Sequence, residues 1–452
     1  MSQLIISVSG LRGIVGESLT AEVAVRYATA FEATLPPGPI LLTYDGRPSG
    51  PMFLAAIADG LSAAGREVIS GGIAATPTTG VLIVQHQAAG GIQISASHNP
   101  PEYNGSKLFA PIGRVVPAGV GQKVMIEYRK LAAFPAAVAE VGTSPLPKAK
   151  LLTDTTSAHI EKVLQTVNVG RIKSRKFNVL LDSNCGAGSV VGIPLLKELG
   201  CNLTLLGGEP TGHFKHTPEP TAENLAGVLP KVVENKCDIG FCQDPDADRL
   251  AVIDENGRYI GEEYTLAICV DHVLRNWPGP VVTNCSTSRM TEDLAKKYGV
   301  PFYRSAVGEA NVVDCMLKHS AVLGGEGNGG VIDPRVVLVR DSFTAMALIL
   351  DAMAARQLPI SALADELPRY EICKTKIELS KQNLPSALTA LEKHFADAAV
   401  DKLDGLRFDW PGKWLLVRAS NTEPIVRAIA EAPTAAEAQR LCAEAGAVMS
   451  SM

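Results

Sequence analysis

Two polar segments carry the residue types that phosphoryl transfer through a covalent intermediate needs most: Ser95-Ala96-Ser97-His98-Asn99-Pro100 and Asp244-Pro245-Asp246-Ala247-Asp248-Arg249. The first can present a serine hydroxyl on a tight turn, and a serine becomes a nucleophile when its surroundings activate it. The second stacks three carboxylates at alternate positions, a hard-oxygen set suited to Mg²⁺. A third segment, Arg418-Ala419-Ser420-Asn421-Thr422-Glu423-Pro424-Ile425-Val426-Arg427, combines two guanidiniums, two hydroxyls and an amide. Arginine forks match phosphate oxygens in pairs.

Each segment also has a plainer reading. Serine and asparagine before proline commonly make only a turn. Here Ile92-Gln93-Ile94 reads as a strand running into that turn, and Pro100-Pro101 blocks further pairing. Such a strand-end turn is expected to expose the Ser97 hydroxyl, with Lys107 near enough to offset phosphate charge. The three aspartates could be a solvated acidic turn. They could also open an EF-hand loop, since Glu255 falls at position 12, but Arg249 holds the position where that loop needs glycine. Ser420–Thr422 are good helix N-caps, which is compatible with phosphate binding because a helix N-terminus attracts anions. Gly324-Gly325-Glu326-Gly327-Asn328-Gly329-Gly330 could be a structural turn. Its glycines would equally let backbone approach a ligand, with Glu326 and Asn328 offered to sugar hydroxyls. Gly10-Leu11-Arg12-Gly13 is a glycine-bracketed arginine, weak by itself.

The elements that must position these residues repeat one theme. Gly38–Asp45 is a short apolar run, followed by a helix through Leu54–Ile57 ending at Gly65, then Glu67-Val68-Ile69. Phe177–Asp182, a helix ending at Gly200 and Leu203–Leu206 form a second copy. Pro280–Asn284, a helix near Met290–Tyr298, Gly299 and Pro301–Tyr303 form a third. Apolar strands alternating with glycine-terminated helices predict βαβ units and largely parallel sheets. The remaining residues read as a small α+β domain, with strands at Lys374–Leu379 and Leu415–Val417 and helices at Pro385–Phe395 and Ala435–Val448. The expected class is α/β, with domains at 1–150, 151–254, 255–368 and 369–452. Thr143–Lys150 is a proline-rich linker.

Composition narrows the classes. The chain has 452 residues, 46% hydrophobic and 20% charged, with a net charge of −5. That length exceeds what one core sustains. That charge gives no electrostatic case for nucleic acid or an anionic membrane. No apolar run approaches the ~20 residues that span a bilayer, and the N-terminus has no signal-type core. The nine cysteines form no C-x-x-C pair, so buried reduced thiols and a cytoplasmic location are expected.

Taken in order, these motifs resemble the α-D-phosphohexomutase superfamily, which includes phosphoglucosamine mutase and phosphomannomutase/phosphoglucomutase. The resemblance spans the whole chain and rests on Ser95–Pro100, Asp244–Arg249, Gly325–Gly330, Arg418–Arg427 and Gly10–Gly13. It implies three related α/β domains and a TATA-box-binding-protein-like fourth around a central cleft. It implies Ser97 as a phosphoserine in a catalytic group with His98, Lys107, Arg12 and Arg249. One Mg²⁺ per active site would be held by Asp244, Asp246, Asp248 and Ser97. Glu326 and Asn328 would hold the sugar, while Arg418, Ser420, Asn421, Thr422 and Arg427 would clamp the non-reacting phosphate. The implied partner is a small hexose phosphate, with a sugar 1,6-bisphosphate as activator and a monomeric or homodimeric enzyme.

This chain departs from the pattern of many bacterial members. Asn328 and Gly330 stand where those carry serine and histidine, and Glu309 where others have histidine or aspartate. Acid/base roles of those histidines therefore do not transfer. The expected activity is a mutase for glucosamine phosphate, with phosphomannomutase/phosphoglucomutase as the same-chemistry alternative. A non-catalytic sugar-phosphate binder is disfavoured by the intact Ser97 and aspartate triplet. A Mg²⁺-dependent phosphatase is disfavoured by the multi-loop clamp.

Overall fold

The three repeats fold as the sequence predicts. Strand Ile40–Tyr44, helix Gly50–Ala63 and strand Val68–Ile73 form the first unit. Asn178–Asp182, Gly188–Glu198 and Asn202–Leu206 form the second. Val281–Asn284, Met290–Lys297 and Phe302–Ser305 form the third. Each helix ends on a glycine in the left-handed region, at φ +86° for Gly65, +75° for Gly200 and +67° for Gly299. A residue without Cβ adopts that conformation at little cost, which turns the chain sharply back toward the sheet.

The computed structural model describes residues 4–133, 149–379, 383–419 and 425–450. The expected linker at Thr143–Lys150 lies mostly outside them. The first sheet has seven strands in the order Ile5–Ser7, Gly10–Ile14, Tyr103–Phe109, Gly90–Ile94, Ile40–Tyr44, Val68–Ile73, Lys150–Leu151. Its half from Gly90–Ile94 to Lys150–Leu151 is parallel, and the other half antiparallel. The second sheet runs Leu250–Asp254, Ile239–Gln243, Asn178–Asp182, Asn202–Leu206. The third runs Phe302–Ser305, Val281–Asn284, Leu323–Glu326, Gly330–Ile332. In both, one edge hairpin is antiparallel and the other pairings are parallel. The fourth sheet is wholly antiparallel, with five strands from Glu371–Glu378 to Ala399–Asp401, and packs against helices Leu384–His394 and Ala435–Ser450.

One topological position recurs. Gly90–Ile94 turns into its antiparallel neighbour Tyr103–Phe109 through the serine segment. Ile239–Gln243 turns into Leu250–Asp254 through the aspartates, and Leu323–Glu326 turns into Gly330–Ile332 through the glycine-rich segment. The three chemical loops are therefore the same turn in three related domains.

A shared apolar core holds these domains together. It takes Leu41 and Phe109 from the first, Val179 and Phe241 from the second, and Phe343 and Ile349 from the third. Helix Ser342–Arg356 is buried without a break from Ser342 to Ala354. Each fully buried Leu, Ile or Phe on it contributes ~1.5–3 kcal/mol. At the head of that helix the fully buried His159 joins all three domains. Its Nδ1 meets Thr78 Oγ1 at 2.9 Å and its Nε2 meets Asp341 Oδ2 at 3.0 Å. This row has the order of a hydrolase triad, but all three residues are at most 1% exposed, so it is a tie between domains. The fourth domain has its own core around Phe408, Leu415 and Ala428. All nine cysteines are free thiols, six of them buried. Among the described residues no helix is long and apolar enough to cross a membrane.

Candidate active site

Ser97 sits at φ +50°, a strained left-handed conformation for a residue with a side chain. Its neighbours explain how that is held. The Ser97 N–H donates to Ser95 Oγ at 2.8 Å, and Ser95 Oγ donates to Asp45 Oδ2 at 2.7 Å. Asp45 accepts from Arg47 Nε at 3.1 Å. The Arg47 guanidinium then donates to four carbonyls of the serine loop: Ser97 at 2.8 Å, Asn99 at 2.7 Å, Pro100 at 2.7 Å and Tyr103 at 2.9 Å. Both Asp45 and Arg47 are fully buried. This network corrects one expectation: Ser97 is not exposed, but 1% accessible. The loop folds inward around Arg47, and the hydroxyl donates to Asp244 Oδ2 at 2.9 Å.

The aspartate loop is built on its own first carboxylate. Asp244 Oδ1 accepts from the N–H groups of Asp248 and Arg249, both at 3.1 Å, while Ala247 turns the chain at φ +55°. Asp244, Asp246 and Asp248 are fully buried, and their oxygens lie within 4.8 Å of one another. The flanks are strands, which removes the EF-hand reading. Burial, and then Asp246 and Asp248, push the Asp244 carboxyl well up. Burial would raise Asp246 too, but Lys107 and hydrogen bonds to Lys107 and Thr76 outweigh it and hold it low. Lys107 Nζ bridges Asp246 and Asp248, at 2.7 Å from the latter.

Two arginines and a histidine lie beside these loops. Arg12 donates to Asn99 Oδ1 at 3.3 Å. Arg249 donates to Glu219 at 3.3 Å. His98 Nδ1 lies 3.4 Å from Ser97 Oγ. Burial, then Arg249 and Arg12, drive its pKa down to about 2, so the ring is neutral.

Main-chain bonds tie the aspartate loop to a helix start of the first domain and its following strand to the glycine-rich loop of the third. Thr76 N–H donates to Asp246 O at 2.9 Å, and Leu250 N–H to Gly329 O at 3.1 Å. Glu326 is buried and already engaged, accepting from Asn284 Nδ2 at 2.8 Å and Gly308 N at 3.2 Å. Asn328 Oδ1 is buried with no hydrogen-bond partner. In the fourth domain Arg418 and Arg427 stand opposite each other across a strand pair, and Arg418 Nε lies 3.0 Å from Asp404. Ser420, Asn421 and Thr422 lie outside the described residues.

The structure thus brings Ser97, His98, Lys107, Arg12, Arg249 and the aspartates into one cluster. It adds Arg47 and Arg340, which motif reading missed. Arg340 donates to Asp248 Oδ2 at 2.7 Å and to Glu326 Oε2 at 2.9 Å. The one available signal for Arg47 was its place at a strand end, the position that the chemical loops share.

Comparison with known proteins agrees with this layout. Residues 4–133, 157–257 and 262–370 match the alpha/beta/alpha domains I, II and III of phosphoglucomutase/phosphomannomutase, and residues 375–447 match its C-terminal domain. A phosphoglucomutase/phosphomannomutase of Thermococcus kodakarensis is 38% identical over 95% of both chains. A "probable phosphoglucosamine mutase" of Thermococcus gammatolerans is 33% identical, over 97% of this chain and 96% of its own. The crystal structure of a phosphoglucomutase/phosphomannomutase family protein from Burkholderia thailandensis superposes with a TM-score of 0.84 at 27% identity, covering 99% of this chain and 98% of that one. Four matched domains and near-complete coverage of its relatives make the chain a member of the phosphoglucomutase/phosphomannomutase family in the α-D-phosphohexomutase superfamily, and thus a phosphosugar mutase, an isomerase.

Proposed function

We propose that the protein interconverts the 6- and 1-phosphates of a hexose through a phosphoserine at Ser97, with glucosamine phosphate as the preferred substrate. The observation that carries this reading is the Ser97 hydroxyl, held in a strained turn 2.9 Å from Asp244 Oδ2, in an aspartate cluster whose Asp246 and Asp248 are bridged by Lys107. A substrate hydroxyl oxygen forms the new bond to phosphorus, the bond to Ser97 Oγ breaks, and the hydroxyl proton passes to a nearby base. The bisphosphorylated sugar turns around, and its other phosphoryl group returns to Ser97. Lys107, Arg12 and Arg249 stabilise the moving negative charge. Arg418 and Arg427, with Ser420, Asn421 and Thr422, hold whichever phosphate is not reacting, and Asn328 with Glu326 orients the sugar.

The three carboxylates suit a divalent cation. Asp246 Oδ1 and Asp248 Oδ1 are buried with no hydrogen-bond partner, as oxygens waiting for a metal would be. When bound by Asp244, Asp246, Asp248 and a Ser97 oxygen, Mg²⁺ would supply counter-charge to the phosphoryl oxygens. A sugar 1,6-bisphosphate would load Ser97 at the outset and so act as an activator.

Glucosamine phosphate is favoured by the relatives named phosphoglucosamine mutase, and a phosphomannomutase/phosphoglucomutase activity by the relative at 38% identity. One assay separates them: interconversion of the 1- and 6-phosphates of glucosamine, mannose and glucose, with kcat/KM compared. A preference for glucosamine phosphate upholds the reading, and a preference for mannose or glucose phosphate replaces it. Release of inorganic phosphate without isomerisation would overturn both.

A further inference from the structure

Gly330 has an ordinary backbone conformation, so nothing in its main chain calls for glycine. What calls for it is space. A Cβ built on Gly330 would lie 2.2 Å from Arg340 Cδ and 2.7 Å from Arg340 Cγ. Any side chain at 330, the histidine of many bacterial members included, and Arg340 in its present place exclude each other. The absence of a side chain at 330 is the condition for Arg340 to be where it is.

Arg340 is 8% exposed and surrounded by carboxylates. Its two terminal nitrogens go to different domains' loops: one to Asp248 Oδ2 at 2.7 Å in the aspartate loop, the other to Glu326 Oε2 at 2.9 Å at the start of the glycine-rich loop. Its Nε lies 3.4 Å from Glu309 Oε2, and its own N–H donates to Glu309 Oε1 at 2.9 Å. The next residue, Asp341, is fixed by capping helix Ser342–Arg356 through Phe343 N at 2.9 Å and by His159 at 3.0 Å. The guanidinium is thus mounted on the tie between the three domains and spans two loops with its fork.

We infer that Arg340 is a positioning residue for the reaction, setting the distance between the metal-binding carboxylate Asp248 and the sugar-binding carboxylate Glu326, and that Gly330 exists to admit it. The inference rests on the assignment of those two loops made above. Arg340 acts through Asp248 and Glu326, neutralising part of their charge while leaving Asp248 Oδ1 free of hydrogen bonds. A planar fork can hold two carboxylates at a fixed separation, whereas an ammonium is a point charge that cannot.

The test uses the full-length enzyme with Gly330→Ala, Arg340→Lys, Arg340→Ala and the double variant Gly330→Ala/Arg340→Ala. Gly330→Ala and Arg340→Lys should each lower kcat on the order of 100-fold, as an ~1 Å misplacement of reacting groups does, with KM for the sugar phosphate changed far less. Adding Gly330→Ala to Arg340→Ala should cost far less than Gly330→Ala alone, because Arg340 is gone and only Asn328 Oδ1, 3.0 Å from such a Cβ, is still crowded. Calorimetry with Mn²⁺ on the same proteins reads the Asp248 arm without turnover, and both single variants should bind at least about threefold more weakly. Near-normal kcat in Gly330→Ala, additive losses in the double variant, or unchanged Mn²⁺ affinity in both variants would each overturn the inference. Should the Arg340→Ala proteins not fold, the Gly330→Ala and Arg340→Lys results decide alone. A wild type without mutase activity would instead refute the proposed function, and the Mn²⁺ titrations would still judge the role of Arg340.

Discussion

The guanidinium of Arg47 donates a 2.8 Å hydrogen bond to the carbonyl oxygen of Ser97 and ties three more carbonyls of the same loop. The backbone of Ser97 is therefore shaped by a side chain 50 residues earlier in the chain. Replacing Arg47 with Met leaves Asp45 buried without its cation, a defect worth about 3–5 kcal/mol. Urea unfolding should report that loss. Arg47→Met/Asp45→Asn should recover much of the stability but not the activity, because the loop carbonyls stay unheld. Equal recovery of both would reduce Arg47 to a stability residue.

Ser97→Ala should abolish turnover, and intact-mass measurement should find a phosphate on the wild type and none on the variant. Ser97→Gly is the sharper probe. Both variants lack the hydroxyl, but glycine enters φ +50° freely whereas alanine is strained there. Ser97→Gly should be inactive yet as stable as Ser97→Ala or more so, by up to ~1 kcal/mol. Thermal melts of the pair check this, and a clearly less stable glycine variant would contradict the strain.

Asp246→Asn should weaken Mg²⁺ binding by at least about tenfold, or about 1.4 kcal/mol, in a calorimetric titration. Its carboxylate is one of three within 4.8 Å, and its Oδ1 is buried with no hydrogen-bond partner, open to a cation. Unchanged affinity would remove the metal assignment from this loop.

Arg418→Lys keeps the charge opposite Arg427 but loses the fork. KM for the sugar phosphate should rise, free bisphosphate should leak during turnover, and added 1,6-bisphosphate should restore part of the rate. Normal KM with no leakage would leave this hairpin without a clamp role.

Glu263 supplies a pH signature. Burial lifts its pKa from 4.5 to about 8, even though Ser288 N donates to it at 2.9 Å. Between those values the folded protein holds a proton that the unfolded chain has lost. The contribution of this group to stability is therefore complete below pH 4.5 and is lost as pH rises through about 8. Melting temperatures of the wild type should fall relative to Glu263→Gln across that window. A constant difference between the two would show that Glu263 does not titrate there.

Much of this was legible because it is local. Glycine after a helix, an apolar run before a polar turn, and carboxylates at alternate positions are read from a few consecutive residues. The repeats, Ser97 and Asp244, Asp246 and Asp248 follow from such windows. Arg47 and Arg340 do not, because their partners are main-chain carbonyls about 50 residues away and a carboxylate 92 residues away, brought near only by the sheets. The burial of Ser97 was missed for the same reason: the loop's own residues suggest an exposed turn, and the distant Arg47 folds it inward. The likeness of the three chemical loops was hidden too, since it lies in strand pairing and not in residue type. The tie through Thr78, His159 and Asp341 joins three domains and leaves no pattern within any one of them.

Helix Ser342–Arg356 is made late but needed early. Strands Ile40–Tyr44 and Asn178–Asp182 help form the core that it completes. At ~5–20 residues per second, a ribosome finishes the helix on the order of 15–60 s after the first of those strands emerges. Over that interval the nascent chain carries an apolar surface with no partner, open to chaperones and to other copies of itself. A chain truncated before Arg356 never closes it.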